Sequence, residues 1–414
     1  MKQIKLWPIF LVVFFNMLGF GMIIPVIRDL TEILVDNSGL DKNYYAVYAG
    51  ILMASYSLFQ LIFSPILGRI SDVYGRKIIL IISVMGSIVS YLMWSISQNY
   101  IFFLISRIIS GITGANLSVA QSYIADTTNK KERAKYMGIV GAIFGIGFIL
   151  GPFFGGLLSV ININQYGTGM IKFNRFGAIG LFTAGISIIN LFWIIFGLEE
   201  SVDTAAARQK IRVSGKTSNI YKLLNIKLIN NNQVKRLFII YFLMQLGFNH
   251  IESVLTWDLK DRFSLDAKST GYFFAFMGVI MAIVQGGLYR MLVKKYSLIN
   301  LSQVGAILLI VGFILMPISH PIVFASLSIV ILAVGMGISS PSVMTIASIR
   351  SDESEQGLTM GILQSFGSLS RVISPLTATI TYDIVNHGAP YYISAILLTA
   401  SLILIISSKK EITD

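Results

Sequence analysis

Twelve blocks of predominantly apolar residues run through this 414-residue chain and constrain its fold more than any other feature. Each block is about 20 residues long, the length with which a helix crosses roughly 30 Å of hydrocarbon. One such block could be a buried core helix, but no single globular core needs a dozen of them. With 55% hydrophobic and only 13% charged residues, the chain also lacks the polar surface of a water-soluble protein. The sequence therefore predicts an all-α membrane protein with twelve transmembrane helices.

The apolar blocks fall into two groups of six. The predicted spans are 7–27, 45–67, 78–97, 101–124, 136–158, 177–196, 237–257, 271–292, 298–318, 322–349, 358–380 and 389–407. A hydrophilic stretch rich in Lys and Arg separates the groups. We therefore predict an N-terminal half over 1–196, a cytoplasmic linker over 197–235 with room for one short amphipathic helix, and a C-terminal half over 236–414.

The distribution of basic residues predicts the orientation. Most of the 32 Lys and Arg residues fall on the side of the N-terminus when the spans are counted as crossings. The positive-inside rule then places both termini in the cytoplasm of a cell whose plasma (inner) membrane the chain spans. The apolar stretch Trp7–Ile27 is too long for a signal peptide and precedes no small-residue cleavage site, so we predict that it is retained as the first span.

Several classes of function are disfavoured by composition. The chain has no cysteine, which excludes disulfides and thiolate sites, and it has no Gly-x4-Gly-Lys-Ser/Thr loop for ATP. The net charge of +12 lies in loops without interleaved aromatic residues, so nucleic acid is not an expected partner. Three histidines and few deep acids argue against an intramembrane enzyme, and nothing resembles a channel filter. We expect no cofactor, no metal and a monomer in the lipid bilayer.

Three ionisable residues lie deep inside the predicted spans: Arg107, Glu252 and Arg371. A charge at bilayer depth is costly unless it is paired or hydrated, so each is a functional candidate. Glu252 ends a polar stripe on helix seven, whose members share one helical face: Tyr241, Gln245, Asn249 and Glu252. Two interpretations of Glu252 stay open, a carboxyl that exchanges a proton and one that ties helices together. His250 points away from Glu252 by helix geometry.

Polar residues on other spans predict a central aqueous cavity. Helix eleven carries Gln364, Ser368 and Arg371 on one face, and helix four carries Arg107, Gly111 and Gly114 in the same way. The residues predicted to line a substrate cavity are Asn16, Gln60, Tyr241, Gln245, Asn249, Gln364 and Arg371. If Arg107 and Arg371 both face this cavity, two arginines against one glutamate favour anionic or zwitterionic amphiphiles over lipophilic cations.

Three motifs are specific. A loop after helix two contains Gly68, Asp72, Gly75, Arg76 and Lys77 in register, where the glycines permit a tight turn and Asp72 can pair with basic residues or cap a helix. Helix four carries Arg107, Gly111 and Gly114. Helix five carries Gly147, Gly151 and Gly155 at a four-residue repeat, which allows a neighbouring helix to approach closely, and Pro152, which permits a bend. The whole motif is Gly138, Gly147, Gly151, Pro152, Gly155 and Gly156.

These motifs resemble those of the major facilitator superfamily, and the closest resemblance is to its twelve-helix drug:proton antiporters, the bacterial tetracycline and multidrug exporters. The likeness implies two six-helix bundles that expose a midplane site alternately to each side. It implies proton coupling through Glu252 and Arg107. We add the hypothesis that Arg371 on helix eleven is a counter-charge for Glu252 when Glu252 is ionised. The likeness also implies a conformational latch on the inner side, formed by Gly68, Asp72, Gly75, Arg76, Lys77, Asp126 and Arg133.

The sequence departs from these exporters at two positions. Tetracycline exporters have an Asp in helix one where this chain has Asn16, and the quinolone-exporting branch has a helix-ten Asp where this chain has Gly337. The same branch has a helix-seven Glu that matches Glu252. We therefore predict proton-coupled efflux of a small amphipathic molecule or drug by alternating access, and the departure at Asn16 argues against tetracycline as the substrate. A carrier of the same fold that imports a nutrient or moves a lysolipid is the alternative.

Overall fold

The computed structural model describes residues 6–128, 130–167, 172–202, 232–351 and 356–407, without the side chains of 130–135, 144 and 356–358. Within these ranges the regular structure is helical. The α-helices are α1 Trp7–Met22, α2 Ile27–Ser38, α3 Tyr45–Tyr74, α4 Arg76–Ile96, α5 Tyr100–Gly114, α6 Leu117–Thr127, α7 Lys130–Leu158, α8 Gly177–Gly197, α9 Asn232–Phe263, α10 Ala267–Ile283, α11 Tyr289–Leu292, α12 Leu298–Ile318, α13 Ile322–Arg350, α14 Gln356–Ile384 and α15 Ala389–Ser407.

Every predicted span coincides with a helix or a consecutive pair of helices, and the all-α membrane fold is confirmed. Among the described residues, 11 helical segments are long and apolar enough to cross a membrane. The remaining predicted span corresponds to α14, whose 29 residues carry a stripe of Ser, Thr, Gln and Arg side chains. These polar side chains lower the mean hydropathy of α14, although the helix is long enough to cross a membrane.

Three spans are interrupted. The first continues beyond its predicted end at residue 27, because a short 3-10 turn at Ile24–Val26 joins α1 to α2, which ends at Ser38. Pro25 lies in this turn and has no backbone N–H to give to a regular helix. The fourth span is divided into α5 and α6 at residues 115–116, and the eighth contains a π-helical turn at Val284–Leu288.

Several predicted boundaries are wrong by a turn or more, and two of them change the position of a candidate residue. The loop predicted at Gly68–Asp72 is part of α3, which ends only at Tyr74, and the turn is confined to Gly75 with φ 103°. The seventh span, predicted to end at 257, continues to Phe263. As a result Asp258, which the sequence places at a helix end, is 1% exposed inside α9. The start of α9 also takes 232–235 out of the predicted linker, whose residues 203–231 lie outside the described ranges.

The chain folds into two compact units. The first contains the described residues of Met1–Lys42, Ser55–Ile220 and Ala267–Tyr272. In it α1 packs along α7, where a Cβ on Gly147 would lie 2.8 Å from the Phe14 carbonyl oxygen. The next glycines of the helix-five motif also face the backbone of α1: Gly151 meets Gly21, and Gly155 meets Met22.

Two other glycines of that motif behave differently. Gly156 faces Gly271 at the start of α10, where a Cβ would lie 3.0 Å from the Gly271 Cα. Gly138 has nothing within 4 Å of an added Cβ. Close packing therefore explains the glycine at 147, 151, 155 and 156, but it does not explain Gly138.

The second unit contains the described residues of Asn43–Ala54, Tyr221–Asp266 and Phe273–Asp414. In it α12 and α13 pack closely through Gly305, whose Cβ would lie 2.8 Å from the Gly335 carbonyl oxygen. The first turn of α3 packs against α14, where Asp383 accepts a hydrogen bond from the backbone N–H of Val47 at 3.1 Å. The assignment of residues 1–196 and 236–414 to two six-helix domains stays a prediction.

Candidate functional site

An amide cluster in the first unit joins α1, α3 and the break between α5 and α6. The Asn16 side chain donates to the Gly114 carbonyl at 2.8 Å and to Asn116 Oδ1 at 2.9 Å. Gln60 donates to the same Gly114 carbonyl at 3.0 Å, and the Tyr56 hydroxyl donates to Asn16 Oδ1 at 2.9 Å. Since α5 ends at Gly114, its carbonyl has no full helical partner, and two side-chain amides satisfy it. Asn16 and Gln60, both predicted from sequence, therefore meet here.

Arg107 of α5 lies beside this cluster and is 2% exposed. Its guanidinium carbon is 4.8 Å from the centroid of the Tyr56 ring, a cation–π distance. Within the described part of the chain, its Nε and Nη2 atoms are buried without a hydrogen-bond partner. A guanidinium stays protonated in proteins, so this unit holds a permanent buried charge whose donors are unsatisfied.

The polar stripe of α9 lies against α14 in the second unit. A Cβ added to Gly367 would be 3.5 Å from Tyr241 Cε1 and 3.9 Å from Gln245 Nε2. One turn further, the Asn249 amide donates to the Ser370 hydroxyl at 2.9 Å. Among the described residues, the buried Gln245 Oε1 has no partner. The face predicted from the spacing is thus directed toward a second polar helix rather than toward lipid.

Glu252 lies at the end of this stripe and is 6% exposed. Arg371, suggested from the sequence as its counter-charge, lies on α14, the helix against which this stripe packs. Arg371 also donates to Ser368 at 3.3 Å, one turn earlier on the same helix. Gln364, the last member of the predicted cavity, is exposed.

His250 faces a different way from Glu252. Its Nδ1 lies 2.8 Å from the Ser394 hydroxyl, and its Nε2 lies 2.8 Å from the Thr377 hydroxyl. Both ring nitrogens are therefore used in packing α9 against α14 and α15, which agrees with the helical geometry expected from the sequence.

A cluster around Arg76 in the first unit contains four of the seven residues predicted as a latch, Gly68, Asp72, Arg76 and Asp126, together with Ser71. The Nε of Arg76 donates to Asp126 at 2.9 Å, and its Nη2 pairs with Asp72. Its Nη1 donates to the Gly68 carbonyl at 3.1 Å and to the Ser71 hydroxyl at 2.6 Å. We call these five residues the Arg76 cluster. Arg133 lies in α7, but its side chain is outside the described part of the structure.

Glu200, which the sequence did not single out, caps the helix that follows this cluster. Its carboxylate accepts the backbone N–H of Arg76 at 2.8 Å and that of Lys77 at 3.0 Å. Lys77 in turn donates from Nζ to the Ile195 carbonyl at 2.7 Å. In the sequence, only the acids Glu199 and Glu200 after the sixth span indicate such a cap, and their position does not identify the helix that Glu200 caps.

A second missed pair is Asp258 and Arg262 on α9, with an Arg Nη1 to carboxylate distance of 2.9 Å. Arg262 also donates to the Met316 carbonyl at 2.9 Å and to the Ser319 carbonyl, both at the end of α12. The i,i+4 spacing of an acid and a base could have signalled it. Arg262 thus satisfies carbonyl groups at the C-terminal end of α12, which is a structural role.

Gly337 of α13, where the sequence lacks a helix-ten acid, packs against the π-helical turn. A Cβ there would lie 2.8 Å from Val284 Cγ1 of the π-helical turn. The position is filled by apolar packing, so no carboxylate could be accommodated without moving Val284.

A family profile and a similar protein each match most of the chain. The sequence profile described as Major Facilitator Superfamily matches residues 9–375. Tetracycline resistance protein, class B, from Escherichia coli is 29% identical over 387 residues, covering 91% of this chain and 87% of that protein.

Two solved structures are similar in fold. The crystal structure of the human organic anion transporter MFSD10 (TETRAN) has a TM-score of 0.70 at 22% identity, covering 97% of this chain and 98% of the other. The crystal structure of a D-xylose-proton symporter has a TM-score of 0.72 at 17% identity, covering 96% and 97%. At these identities the structural likeness concerns the fold.

Proposed function

The chain belongs to the Major Facilitator Superfamily, and on that premise we propose that it exports a small amphipathic molecule in exchange for protons, by alternating access. It is a multi-pass membrane transporter with a small-molecule substrate, and not an enzyme. Its relatives include tetracycline resistance proteins, which supports efflux as the direction of transport. The departure at Asn16 supports a substrate other than tetracycline.

The observation that carries the coupling proposal is the position of Glu252. It is a buried carboxyl group at the end of a polar stripe that packs against α14, the helix that carries Arg371. When a proton neutralises such a group, its attraction to a nearby cation is lost, so the relative free energies of two conformations change. Proton binding to Glu252 from outside would thereby favour substrate release, and its loss to the cytoplasm would reset the carrier.

The test is proton flux in proteoliposomes. A ligand panel scored by thermal shift on purified protein first selects a substrate, and the panel includes tetracycline, the zwitterion norfloxacin, the cation ethidium and the carboxylate 3-phenylpropionate. Substrate-driven proton movement is then measured with a pH-sensitive dye enclosed in the liposomes. Glu252→Gln should bind the substrate but abolish the coupled proton movement, because the amide cannot exchange a proton.

Glu32→Gln is the matched control, since Glu32 forms an i,i+4 pair with Arg28 at 2.8 Å, away from the stripe of α9. It should leave the proton flux unchanged. Coupled flux at the wild-type rate in Glu252→Gln would refute the role of Glu252. A panel in which only the cation stabilises the protein would contradict the expected preference for anionic or zwitterionic amphiphiles.

The direction of transport is tested separately in whole cells. An exporter lowers the accumulation of its substrate, and an uncoupler restores it, whereas a proton-driven importer of the same fold gives the opposite pattern. Higher accumulation in cells that express the protein would therefore favour the import alternative.

We propose further that the protein lies in the plasma membrane with both termini in the cytoplasm, as its basic residues predict. A C-terminal green fluorescent protein fusion should fluoresce, and a C-terminal alkaline phosphatase fusion should be inactive. The reverse result would invert the topology. Light scattering after size exclusion in detergent should report one copy of the chain per particle.

A further inference from the structure

We propose that Arg107 is the recognition site for a carboxylate on the transported molecule, a proposal that rests on the export function above and names its substrate class. The unpartnered donors of Arg107 carry this inference. Within the described part of the chain, they are Nε and Nη2, in a side chain that is 2% exposed. These two N–H groups lie side by side along one edge of the guanidinium plane.

That edge matches one ligand group better than others. Two parallel N–H groups at fixed spacing bind the two oxygens of a carboxylate in a bidentate pair. An amide or an alcohol offers one acceptor and no charge, and an ammonium group is repelled. A buried guanidinium also lacks the option of releasing its proton, so an incoming anion is the means by which the site becomes neutral.

The surroundings of Arg107 add a second recognition element. The Tyr56 ring lies 4.8 Å from its guanidinium carbon, and the Phe20 ring lies 5.0 Å from the Tyr56 ring. The hydroxyl of Tyr56 donates to Asn16, which is only part-buried. A carboxylate that carries an aromatic ring could therefore use the cation and the neighbouring rings together.

No side chain in the described structure competes for the Arg107 edge. Asp126, the acid near the end of the same span, is bound to Arg76 at 2.9 Å. Asn16 and Gln60, which lie nearby, both donate to Gly114. The Arg107 edge is buried in this conformation, and a ligand bound to it would not have to break either of these hydrogen bonds.

The experiment measures binding rather than transport. The probes are 3-phenylpropionate, 3-phenylpropionamide and 3-phenylpropylamine, which share one skeleton and differ in the charge of one group. We expect the carboxylate to raise the Tm of the purified wild-type protein saturably, and the amide and the amine to have at least tenfold weaker effects. Arg107→Gln should lose the response to the carboxylate, and Arg107→Lys should weaken it at least fivefold because lysine lacks the paired donors. Arg28→Gln, which alters an arginine of α2, should respond like wild type.

A chemical measurement keeps the test valid even when an Arg107 variant does not fold. Phenylglyoxal modifies arginine side chains, and mass spectrometry of the peptide containing Arg107 reports its extent in the wild-type protein. The carboxylate should reduce this modification at least fivefold while leaving that of Arg28 unchanged. Equal stabilisation by the amide, or no protection of Arg107, would overturn the proposal. Because binding needs no proton gradient, failure of coupled transport alone would leave this site standing.

Discussion

The Glu200 carboxylate accepts the backbone N–H of Arg76 at 2.8 Å, so a residue that follows α8 caps the first turn of α4. An acid at a helix N-terminus satisfies a donor that has no helical partner and interacts favourably with the helix dipole. The Glu200 carboxylate also accepts the backbone N–H of Lys77, so one side chain satisfies two backbone donors of α4.

Removing this cap should lower the stability of the first unit. Glu200→Ala is expected to reduce the free energy of unfolding by about 1 kcal/mol, within the range measured for helix caps. Thermal unfolding in detergent provides the measurement. Asp36→Asn, which alters a surface pair with Lys42, serves as control and should change stability very little. An unchanged Tm in Glu200→Ala would show that the cap is dispensable.

Arg76→Lys should disrupt the Arg76 cluster although it keeps the charge. A lysine cannot reach Asp72, Asp126 and the Gly68 carbonyl together, because one ammonium replaces three nitrogens in a plane. We expect a loss of about 1–3 kcal/mol for the hydrogen bonds left unmade, together with reduced transport. Arg69→Lys in the same helix as Asp72 is the control. Wild-type stability and transport in Arg76→Lys would contradict a latch at this position.

The glycines of α7 offer a test of close packing. Gly151→Ala should cost about 1–3 kcal/mol through overpacking, because the new Cβ would lie 2.7 Å from the Gly21 Cα. Gly145→Ala in the same helix has nothing within 4 Å and should be neutral or slightly stabilising. Gly138→Ala should behave like Gly145→Ala in stability measurements. Equal Tm values for the Gly151 and Gly145 variants would disprove the packing account.

The Asp258 and Arg262 pair should show strong coupling. Asp258→Asn leaves the largely buried guanidinium of Arg262 without its counter-charge, and breaking a buried pair costs about 3–5 kcal/mol. In the double variant Asp258→Asn with Arg262→Gln, part of that loss should return, because no unpaired charge remains. A double-mutant cycle measured by chemical unfolding isolates the interaction. Simple additivity of the two single changes would mean that the residues act independently.

The twelve spans and the polar stripes could be predicted from sequence because each depends on local length and periodicity. The stripe from Tyr241 to Glu252 needed only the helical repeat, and the structure directs it toward α14. The helix-five glycines likewise indicated a close neighbour, although sequence could not identify α1 as that neighbour. The break at Pro25 shifted the first boundary because a proline can end a helix or only bend it.

The partners of individual side chains could not be predicted, since they depend on which helices meet and at what height. Asn16 and Gln60 share the Gly114 carbonyl only because α5 stops there, and hydropathy shows a continuous span across that point. Asp258 was placed at a helix end because charged residues follow it, whereas its pairing with Arg262 permits burial. The unpartnered edge of Arg107 is likewise visible only once the surrounding helices are in place.

Because of the break at residues 115–116, the fourth span consists of two consecutive helices, α5 and α6, instead of one continuous helix. The side-chain amides of Asn16 and Gln60 donate hydrogen bonds to the Gly114 carbonyl at this break. Each such hydrogen bond contributes about 1 kcal/mol and can open and reform without unwinding a helical turn. A neighbour such as α4 must tilt as a whole, but this segment can pivot at its midpoint. A displacement of α5, which carries Arg107, therefore need not cause an equal displacement of α6, which carries Asp126.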